Sequence, residues 1–457
     1  MARKDGEEQS YIPLGIFKLR IPFIHYRFEI PEAIQAILMC ATCLGAIPVL
    51  TEYLGVSYEI AWSMVIINGA LYFLHALLGD PVVPGWITPA IPVVLGYLTT
   101  NYPIGPERIK ALVALQLIVG LIFFAMGVTG AAKKLIESIP ASLQAGILLG
   151  AGIAAVIGEF AAYAPSAAIP RFNTYRYSIT ICTLLAYFIL FSDSFKRLRK
   201  KNILLDMFGK YGMLPAVLLG VILGPIFGEI KVPDIAIQHG DSFFFFIPSL
   251  DQLLSAVSPL RLGFPSAQMF LAAIPTAIAA YIIAFGDFVT TDALIGEASK
   301  SREDEIVDFN PNRSNLISAA RNFIMAIVAP YTQLCGPLWA AVTASTAQRY
   351  KEGRGAMDSI FSGVGTFRMI TALSVAIIPI ATLLRSVLPV ALSITLLVQG
   401  YICAGLAFKM CKTDMDRGIA GVMGAVLASK GAAWGLAVGI ILHFLLAFNP
   451  MRKLESK

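Results

Sequence analysis

The sequence predicts an all-α, polytopic membrane protein with fourteen transmembrane segments arranged as two inverted repeats of seven. Of the 457 residues, 57% are hydrophobic and only 14% are charged, whereas soluble domains carry about 25% charged residues. Apolar runs recur along the chain at the length a bilayer requires, roughly 20 residues for a helix. Two shorter runs, interrupted by Pro and Gly, lie at matching places in the two halves, a pattern typical of transporters built from inverted repeats.

Twelve apolar runs are interpreted as ordinary membrane helices. Two further runs, 82–99 and 337–347, contain Pro, Trp and Thr, and we interpret them as broken spans, the third and the tenth. The twelve ordinary spans are predicted near 31–50, 57–78, 108–128, 139–158, 176–193, 211–228, 265–288, 315–333, 358–380, 383–407, 416–429 and 431–448.

The basic residues support fourteen crossings. With the N-terminus in the cytoplasm, fourteen crossings place Lys133-Lys134 and the clusters at 196–201 and 349–354 on the cytoplasmic side, as the positive-inside rule expects. Twelve crossings would misplace the first two of these groups. We therefore expect a multi-pass protein of the cell membrane with both termini in the cytoplasm. The predicted layout is a cytoplasmic segment (1–27), a first repeat (28–228), an external loop (229–262), a second repeat (263–448) and a cytoplasmic tail (449–457).

The two broken segments share a sequence pattern. Pro84-Gly85-Trp86 and Pro337-Leu338-Trp339 both read P-x-W and lie 253 positions apart. A second pair of similar stretches begins at Ile139 and Leu388, 249 positions apart. Because each repeat has an odd number of spans, the second is expected to be inverted in the membrane relative to the first.

These features resemble the 7+7 inverted-repeat fold shared by nucleobase–ascorbate transporters, sulfate permeases and bicarbonate-type anion exchangers, over about residues 28–448. The layout is nearest to the nucleobase and xanthine permeases, since Phe285–Thr291 is similar to their G-D-x-x-x-T/L stretch. Two positions depart from that subgroup. Ile283 stands where those permeases place a glutamate, and Cys335–Ala340 lacks the amide and carboxylate groups of their tenth span.

The resemblance implies a secondary active, ion-coupled transporter. Spans 1–4 and 8–11 would form a core domain that moves, elevator-fashion, against a gate domain of spans 5–7 and 12–14, in a homodimer. Because unmatched polar edges of a nucleobase are unfavourable in a dry site, the departures favour a small anion: a carboxylate, an amino-acid-type anion, bicarbonate or sulfate. The alternative is a proton-coupled permease for a nucleobase such as uracil or xanthine.

The resemblance also places the substrate between the half-helices of spans 3 and 10. Helix N-termini carry free N–H groups and partial positive charge, so two that face each other form an anion site without a basic side chain. A different interpretation places the tryptophans there in an interfacial aromatic belt and uses the threonines only to satisfy freed backbone carbonyls. The predicted substrate-binding residues are Trp86, Thr88, Ala90, Trp339, Val342 and Thr343.

Asp287 is the only charged residue of the run Phe264–Phe288, and ionisable residues inside a membrane are functional by default. We predict that it binds the coupling proton. The other interpretation is that Asp287 ends the eighth helix, with Asp292 and Glu297 in a cytoplasmic loop.

Three arginines lie near the ends of apolar runs in the second repeat: Arg321, Arg368 and Arg385. Long arginine side chains reach the membrane surface from such positions, so anchoring is the simplest role for each. Alternatively, Arg321 and the adjacent Asn322 are candidate partners of Asp287 or of an anionic substrate.

The sequence does not indicate an enzyme. It contains no Walker A, G-x-S-x-G or H-E-x-x-H motif, and its four histidines form no pair at ligand spacing. We therefore expect no metal site and no cofactor other than a coupling H+ or Na+. The net charge of +6 comes from short clusters between apolar runs, so the expected partners are the lipid bilayer, a small anion and a second copy of the chain, and not nucleic acid.

Overall fold

The computed structural model describes residues 4–132, 134, 138–160, 171–202, 205, 208–209 and 213–447. Lys133 and the predicted tail 449–457 lie outside the described residues.

Apolar helices dominate both predicted repeats. In the first, the helices are α1 (Ile30–Leu44), α2 (Ala46–Leu54), α3 (Tyr58–Leu77), α4 (Ile91–Asn101), α5 (Pro106–Thr129), α6 (Ala141–Phe160), α7 (Arg171–Thr174), α8 (Arg176–Phe191), α9 (Asp193–Arg199) and α10 (Leu214–Ile226). The connecting segment holds α11 (Leu250–Val257) and α12 (Pro259–Leu262). In the second, they are α13 (Ala267–Lys300), α14 (Pro311–Val328), α15 (Ala340–Tyr350), α16 (Ile360–Ser374), α17 (Ile378–Arg385), α18 (Leu388–Met410), α19 (Asp414–Lys430) and α20 (Ala432–Leu442), followed by a π-helical turn (His443–Ala447).

The described helices confirm an all-α polytopic membrane fold. Those long and apolar enough to cross a bilayer are Ile30–Leu54, Tyr58–Leu77, Pro106–Thr129, Ala141–Phe160, Ala267–Lys300 and Leu388–Met410. Helices α8 and α9, which meet at 68°, add one more if they count as one span, and Leu214–Ile226, Ile360–Ser374 and Ala432–Leu446 are shorter apolar helices. The count of fourteen crossings therefore stays a prediction.

Very short strands pair within the described part of the chain, and two of these pairs connect distant segments. They are β1 (Glu7–Glu8), β2 (Ile12–Leu14), β3 (Phe17–Leu19), β4 (Gly85–Trp86), β5 (Gln238–His239), β6 (Ser242–Phe243), β7 (Glu305–Ile306) and β8 (Cys335–Gly336). Strands β2 and β3, and likewise β5 and β6, pair as antiparallel neighbours, β1 pairs in parallel with β7, and β4 pairs antiparallel with β8. Spans 3 and 10 are thus broken as predicted, each into a short strand and a half-helix.

The eighth span is longer than predicted. The interpretation that Asp287 ends the helix is wrong, because α13 continues to Lys300 and includes Asp292 and Glu297. The prediction followed apolar residues only, whereas the polar residues after Phe288 are compatible with a helix: the Thr290 hydroxyl donates to the Gly286 carbonyl at 2.9 Å.

The predicted span 358–380 is interrupted between α16 and α17. The segment that connects the two repeats lies against this break, where the Phe246 N–H donates to the Ala376 carbonyl and the Ile378 N–H donates to the Phe244 carbonyl, each at 2.8 Å. This segment thus satisfies backbone groups that the break leaves free, which the apolar pattern of the span does not reveal.

Glycines allow close packing within two groups of helices. Helix α5 packs along α13 and α14, while α16 packs along α1 and α3. Helix α6 packs along α18 and α19. A Cβ atom at Gly120 of α5 would lie 2.8 Å from the Phe323 ring, and one at Gly146 of α6 would lie 2.5 Å from the Met423 sulfur. Small residues at such contacts let membrane helices approach closely.

The N-terminal segment is attached to the start of α14. The Lys18 ammonium pairs with Glu8 and Asp308, both at 2.7 Å. Burial raises the pKa of the Asp308 carboxyl, but the hydrogen bond from Lys18 and the charge of Arg313 outweigh it, so that the pKa is lowered. Burial likewise lowers the pKa of Lys18, and its bonds to Asp308 and Glu8 reverse the shift and raise it.

Candidate substrate site

The site predicted between spans 3 and 10 is built on the crossing of β4 and β8. Gly85 pairs with Gly336, and Trp86 pairs with Cys335. A Cβ atom at Gly85 would lie 2.6 Å from the Leu338 carbonyl oxygen, and one at Gly336 would lie 2.7 Å from the Trp86 carbonyl carbon. Only glycine therefore lets the two backbones cross this closely.

Further backbone hydrogen bonds extend the crossing on both sides. The Ile87 N–H donates to the Gln333 carbonyl at 3.2 Å, and the Trp339 N–H donates to the Val83 carbonyl at 2.6 Å. Each strand is thereby fixed directly before the half-helix that follows it.

Neither half-helix has a side-chain cap. A 3-10 turn, Thr88–Ala90, leads into α4, and Trp339 is the N-cap of α15. No side-chain oxygen caps α4 or α15, and neither first turn contains an acidic residue. By contrast, the Asn310 side chain accepts two backbone N–H bonds at the start of α14. No side chain therefore neutralises the partial positive charge at the N-terminus of either half-helix.

On the side of the third span, two predicted residues keep polar groups without protein partners. Trp86 and Thr88 are half-buried, and Ala90 is fully buried. Among the described residues, the Trp86 indole N–H has no hydrogen-bond acceptor. The Trp86 ring lies 6.2 Å from the ring of Tyr331. Trp86 and Thr88 are therefore the residues of this half-helix with donors to offer a ligand.

On the side of the tenth span, two predicted residues support the crossing instead. The Thr343 hydroxyl accepts a hydrogen bond from the Val83 N–H at 3.1 Å and lies 3.3 Å from the Val83 carbonyl, to which it can donate; the second contact is the carbonyl role left open for it from the sequence. Val342 is fully buried in an apolar cluster with Val83 and Phe367. Only Trp339 of this group is partly exposed.

Asn322 holds β8 from behind. Its side-chain amide donates to the Cys335 carbonyl at 2.9 Å, and its carbonyl oxygen accepts the Cys335 N–H at 3.0 Å. Gln116 of α5 donates to the same Asn322 oxygen at 3.4 Å and accepts the Tyr331 N–H at 2.9 Å. Asn322 thus pairs with β8 as a neighbouring strand would. The role of Gln116 was not predicted, because a single amide in an apolar span belongs to no motif.

Arg321 fixes both strands of the crossing. It donates to the Gly336 carbonyl at 2.8 Å and to the Gly85 carbonyl at 3.4 Å. It also contacts His75 Nε2 at 3.2 Å, and His75 Nδ1 lies 2.7 Å from the Asp80 carboxylate. Because arginine only donates, His75 Nε2 is the acceptor and its Nδ1–H donates to Asp80. His75 thus links the Asp80 carboxylate to the buried guanidinium of Arg321.

The anchoring role is wrong for two of the three arginines. Arg321 and Arg368 are both fully buried, so neither side chain reaches a membrane surface. Arg385 is exposed and lies 4.0 Å over the Tyr58 ring, which suits an anchor. The sequence misleads here because distance from the end of an apolar run does not show which face of a helix a residue occupies.

Asp287 stands apart from the arginines. Arg321 has other partners, and among the described residues Asp287 forms no ion pair or hydrogen bond. Its helix, α13, packs against the 3-10 turn before α4 and against α15. A Cβ atom added at the adjacent Gly286 would meet no other group within 4 Å. Asp287 is half-buried and lies on a helix that contacts both half-helices.

A second polar cluster, also not predicted, lies in a cleft between α4 and α6. Arg171 pairs with Glu52 of α2 and with the fully buried Glu159 of α6, and the Ser393 hydroxyl of α18 donates to Glu159. The cluster joins α2, which packs on α3, to α6 and α18. Glu159 could have been found as a carboxylate at the end of an apolar span.

Over the described ranges, no group of three or more His, Cys, Asp and Glu side chains is placed to hold a metal ion.

The fold is that of anion-transporter membrane domains. The transmembrane domain of the bicarbonate transporter BicA from a cyanobacterium matches 90% of this chain and 96% of its own, at 15% identity and a TM-score of 0.50. The murine Slc26a9 anion transporter in the inward-facing state matches 92% of this chain and 68% of its own, at 13% identity and a TM-score of 0.50. A structure of SLC26A9 matches 92% and 65%, at 14% identity and a TM-score of 0.54.

No protein-family model and no curated protein sequence matches this chain. At these identities the structural similarity establishes the fold alone. It supports the predicted polytopic membrane fold, while the nearer likeness to nucleobase permeases is not confirmed.

Proposed function

We propose that this protein is a secondary active transporter of small anions. The anion binds between the N-termini of the half-helices at the β4–β8 crossing. The observation that carries the proposal is that both N-termini lack a side-chain cap and acidic residues, while the strands that lead into the two half-helices pair with each other. Two converging N-termini provide N–H donors and positive potential without a basic side chain.

The structural neighbours support the same substrate class. One is a bicarbonate transporter and one is an anion transporter. The site residues in this chain are consistent with that class: on one side of the crossing the Trp86 indole N–H has no acceptor among the described residues and Thr88 is half-buried, and on the other side Trp339 is half-buried.

The helix packing suggests how the anion crosses the membrane. We assign the helices around α5 and α16 to a core domain that carries the site, and those around α6 and α18 to a gate domain. In an elevator movement of the core within a homodimer, the Glu52–Arg171 ion pair between the two groups would break and re-form. Asp287 would couple transport to protons, because its protonation removes a negative charge from the helix that contacts both half-helices.

The test is uptake into proteoliposomes that contain the purified full chain. We expect saturable uptake of at least one of formate, acetate, glutamate, bicarbonate and sulfate, with competition among anions and none from uracil or xanthine. Uptake of uracil or xanthine that no anion inhibits would overturn the proposal in favour of a nucleobase permease. Current that does not saturate with anion concentration would overturn it in favour of a channel.

A further inference from the structure

We propose that Arg368 is a ligand of the transported anion and that it selects oxyanions, such as carboxylates and bicarbonate, over halides. The inference rests on the proposed function and adds to it a binding residue and a narrower class of substrate.

Arg368 is a buried cation without a partner. It lies on α16, fully buried, and its Nε, Nη1 and Nη2 atoms have no hydrogen-bond partner among the residues that the structure describes. The Cys43 thiol lies beside the guanidinium, but a thiol is only a weak acceptor. A buried guanidinium without a counter-charge is strongly unfavourable, and an anion bound next to it would remove that penalty.

The other buried arginines of the described chain have acceptors within the protein. Each of them donates to a carboxylate or to backbone carbonyls, so burial of an arginine in this fold is normally compensated. The pairs are Arg20 with Glu8, Arg302 with Asp304, Arg313 with Asp308, and Arg321 with the carbonyls of Gly336 and Gly85.

The repeat gives an internal control. Gln116 of α5 precedes Arg368 by 252 positions, close to the offset of 253 between the two P-x-W motifs. Gln116 is also fully buried, but its amide is used by Asn322 and by the Tyr331 N–H. The position therefore serves the scaffold in the first repeat, whereas in the second it holds a charge that the scaffold does not use.

The surroundings of Arg368 determine how a ligand approaches. Its guanidinium carbon lies 4.1 Å from the centroid of the Tyr72 ring and 5.2 Å from that of the Trp339 ring. The rings attract the cation through their faces, but none of the Arg368 N–H groups has a hydrogen-bond acceptor among the described residues, so these groups remain for a ligand. Trp339 is the N-cap residue of α15, and no side chain caps this helix end. An anion beside Trp339 can therefore contact the helix N-terminus and the guanidinium at the same time.

The free N–H groups of Arg368 account for the proposed preference for oxyanions over halides. A guanidinium presents parallel N–H groups that match two oxygen atoms of one oxyanion. A halide can use only one point of contact, and a neutral nucleobase would leave the buried charge uncompensated. The geometry therefore favours a two-oxygen anion.

The experiment compares Arg368→Lys and Arg368→Gln with the wild-type full chain in nanodiscs. Binding is measured by thermal shift during titration with formate, acetate, bicarbonate, chloride and bromide, because ligands of the folded state raise its apparent stability. Arg385→Gln removes the same charge from an exposed residue and serves as the matched control.

We expect Arg368→Lys, which keeps the charge but loses the paired N–H groups, to lower the formate-to-chloride affinity ratio about tenfold. Arg368→Gln copies the residue found at position 116; it should lose anion binding while its melting temperature without anion is unchanged or higher. Arg385→Gln should bind like the wild type.

Wild-type affinity ratios in both variants would overturn the inference, as would an Arg368→Gln protein that melts lower without anion but binds normally, since that marks a structural cation. If Arg368→Gln does not fold, the ratio in Arg368→Lys decides. Failure of the wild type to bind any anion would overturn the proposed function as well, which distinguishes the two failures.

Discussion

The two half-helices follow the two strands of one symmetric crossing, but they differ in the backbone N–H donors that their first turns offer. Before α4, the 3-10 turn contains Pro89, and Pro92 follows in the first turn of the helix; proline has no N–H group. The Ala90 N–H is already used by the Ile87 carbonyl at 2.9 Å. The first turn of α15 begins with Ala340 and contains no proline. A symmetric scaffold can thus hold an asymmetric site, in which the second half-helix provides most of the backbone N–H donors.

The largest effect is expected for Ala340→Asp. An acidic residue in the first turn favours the helix itself, but it places a negative charge where the anion binds. We expect a loss of anion affinity of about 100-fold or more, because like-charge contacts cost several kcal/mol, and a melting temperature without anion that is not lowered. Thermal-shift titration measures both quantities.

Two controls make this result specific. Ala340→Asn has nearly the same shape without the charge, and Gln348→Glu adds the same charge at an exposed residue near the other end of α15. Thr88→Asp should weaken binding less than Ala340→Asp, because the first half-helix has fewer free donors. Equal losses in Ala340→Asp and Ala340→Asn would show that shape and not charge is responsible.

Two threonines, one in each broken span, should respond in opposite ways. Thr343→Val leaves the buried Val83 N–H without its acceptor, so we expect the free energy of unfolding to fall by about 1–3 kcal/mol. Thr88→Val removes a half-buried hydroxyl without a protein partner, so stability should change by less than about 0.5 kcal/mol while anion affinity falls. Thermal melts and anion titrations of both variants test this; a Thr343→Val protein as stable as the wild type would contradict the assigned support role.

Asp287→Asn tests whether a carboxylate on α13 acts on both half-helices. Deprotonation of Asp287 adds a negative charge next to the site, so wild-type anion affinity should fall as the pH rises from 5 to 8. Asp287→Asn should abolish this dependence and bind at least as well as the wild type. Asp292→Asn, at an exposed position on the same helix, is the control, and an unchanged pH profile in Asp287→Asn would remove this residue from the coupling mechanism.

The smallest effect is expected at the N-terminal attachment to the second repeat. Because the folded-state pKa of Asp308 is lowered, its stabilisation is complete above the unfolded pKa of about 3.9 and is lost as the pH falls through the folded value. Asp308→Asn should cost no more than about 1 kcal/mol at neutral pH, as expected for a partly exposed ion pair. Between pH 3 and 6, the melting temperature of Asp308→Asn should differ least from that of the wild type at the acidic end. A changed anion affinity in this variant would show that the contact is not separate from the site.

The sequence predicts the architecture of the crossing well because its constraints are local. Proline, glycine and tryptophan mark the strand and the start of each half-helix, and the repeat doubles that signal. The roles of the polar residues behind the crossing were not predictable in the same way. Arg321 and Asn322 bind backbone groups of Gly336, Gly85 and Cys335, and backbone acceptors leave no pattern of side chains in a sequence.

The length of the eighth span and the burial of Arg368 were missed for a related reason. Hydropathy shows where a bilayer-length apolar run ends, but α13 continues as a helix beyond it. Burial of Arg368 depends on Tyr72 and Trp339, which come from other elements. Both features are set by tertiary neighbours, and the repeat offset to Gln116 is the one sequence signal that could have drawn attention to Arg368.

The pairing of β4 with β8 also determines when the protein can complete its fold during synthesis. Residues 85–86 leave the ribosome long before residues 335–336, so the first half-helix must be inserted while its partner strand does not yet exist. During that interval the backbone groups of β4 and the bond from Ile87 to Gln333 have no partner from the second repeat. The binding site is therefore among the last parts of the molecule to form, and a nascent chain that stalls before β8 would present an unfinished membrane segment to the quality-control machinery of the cell.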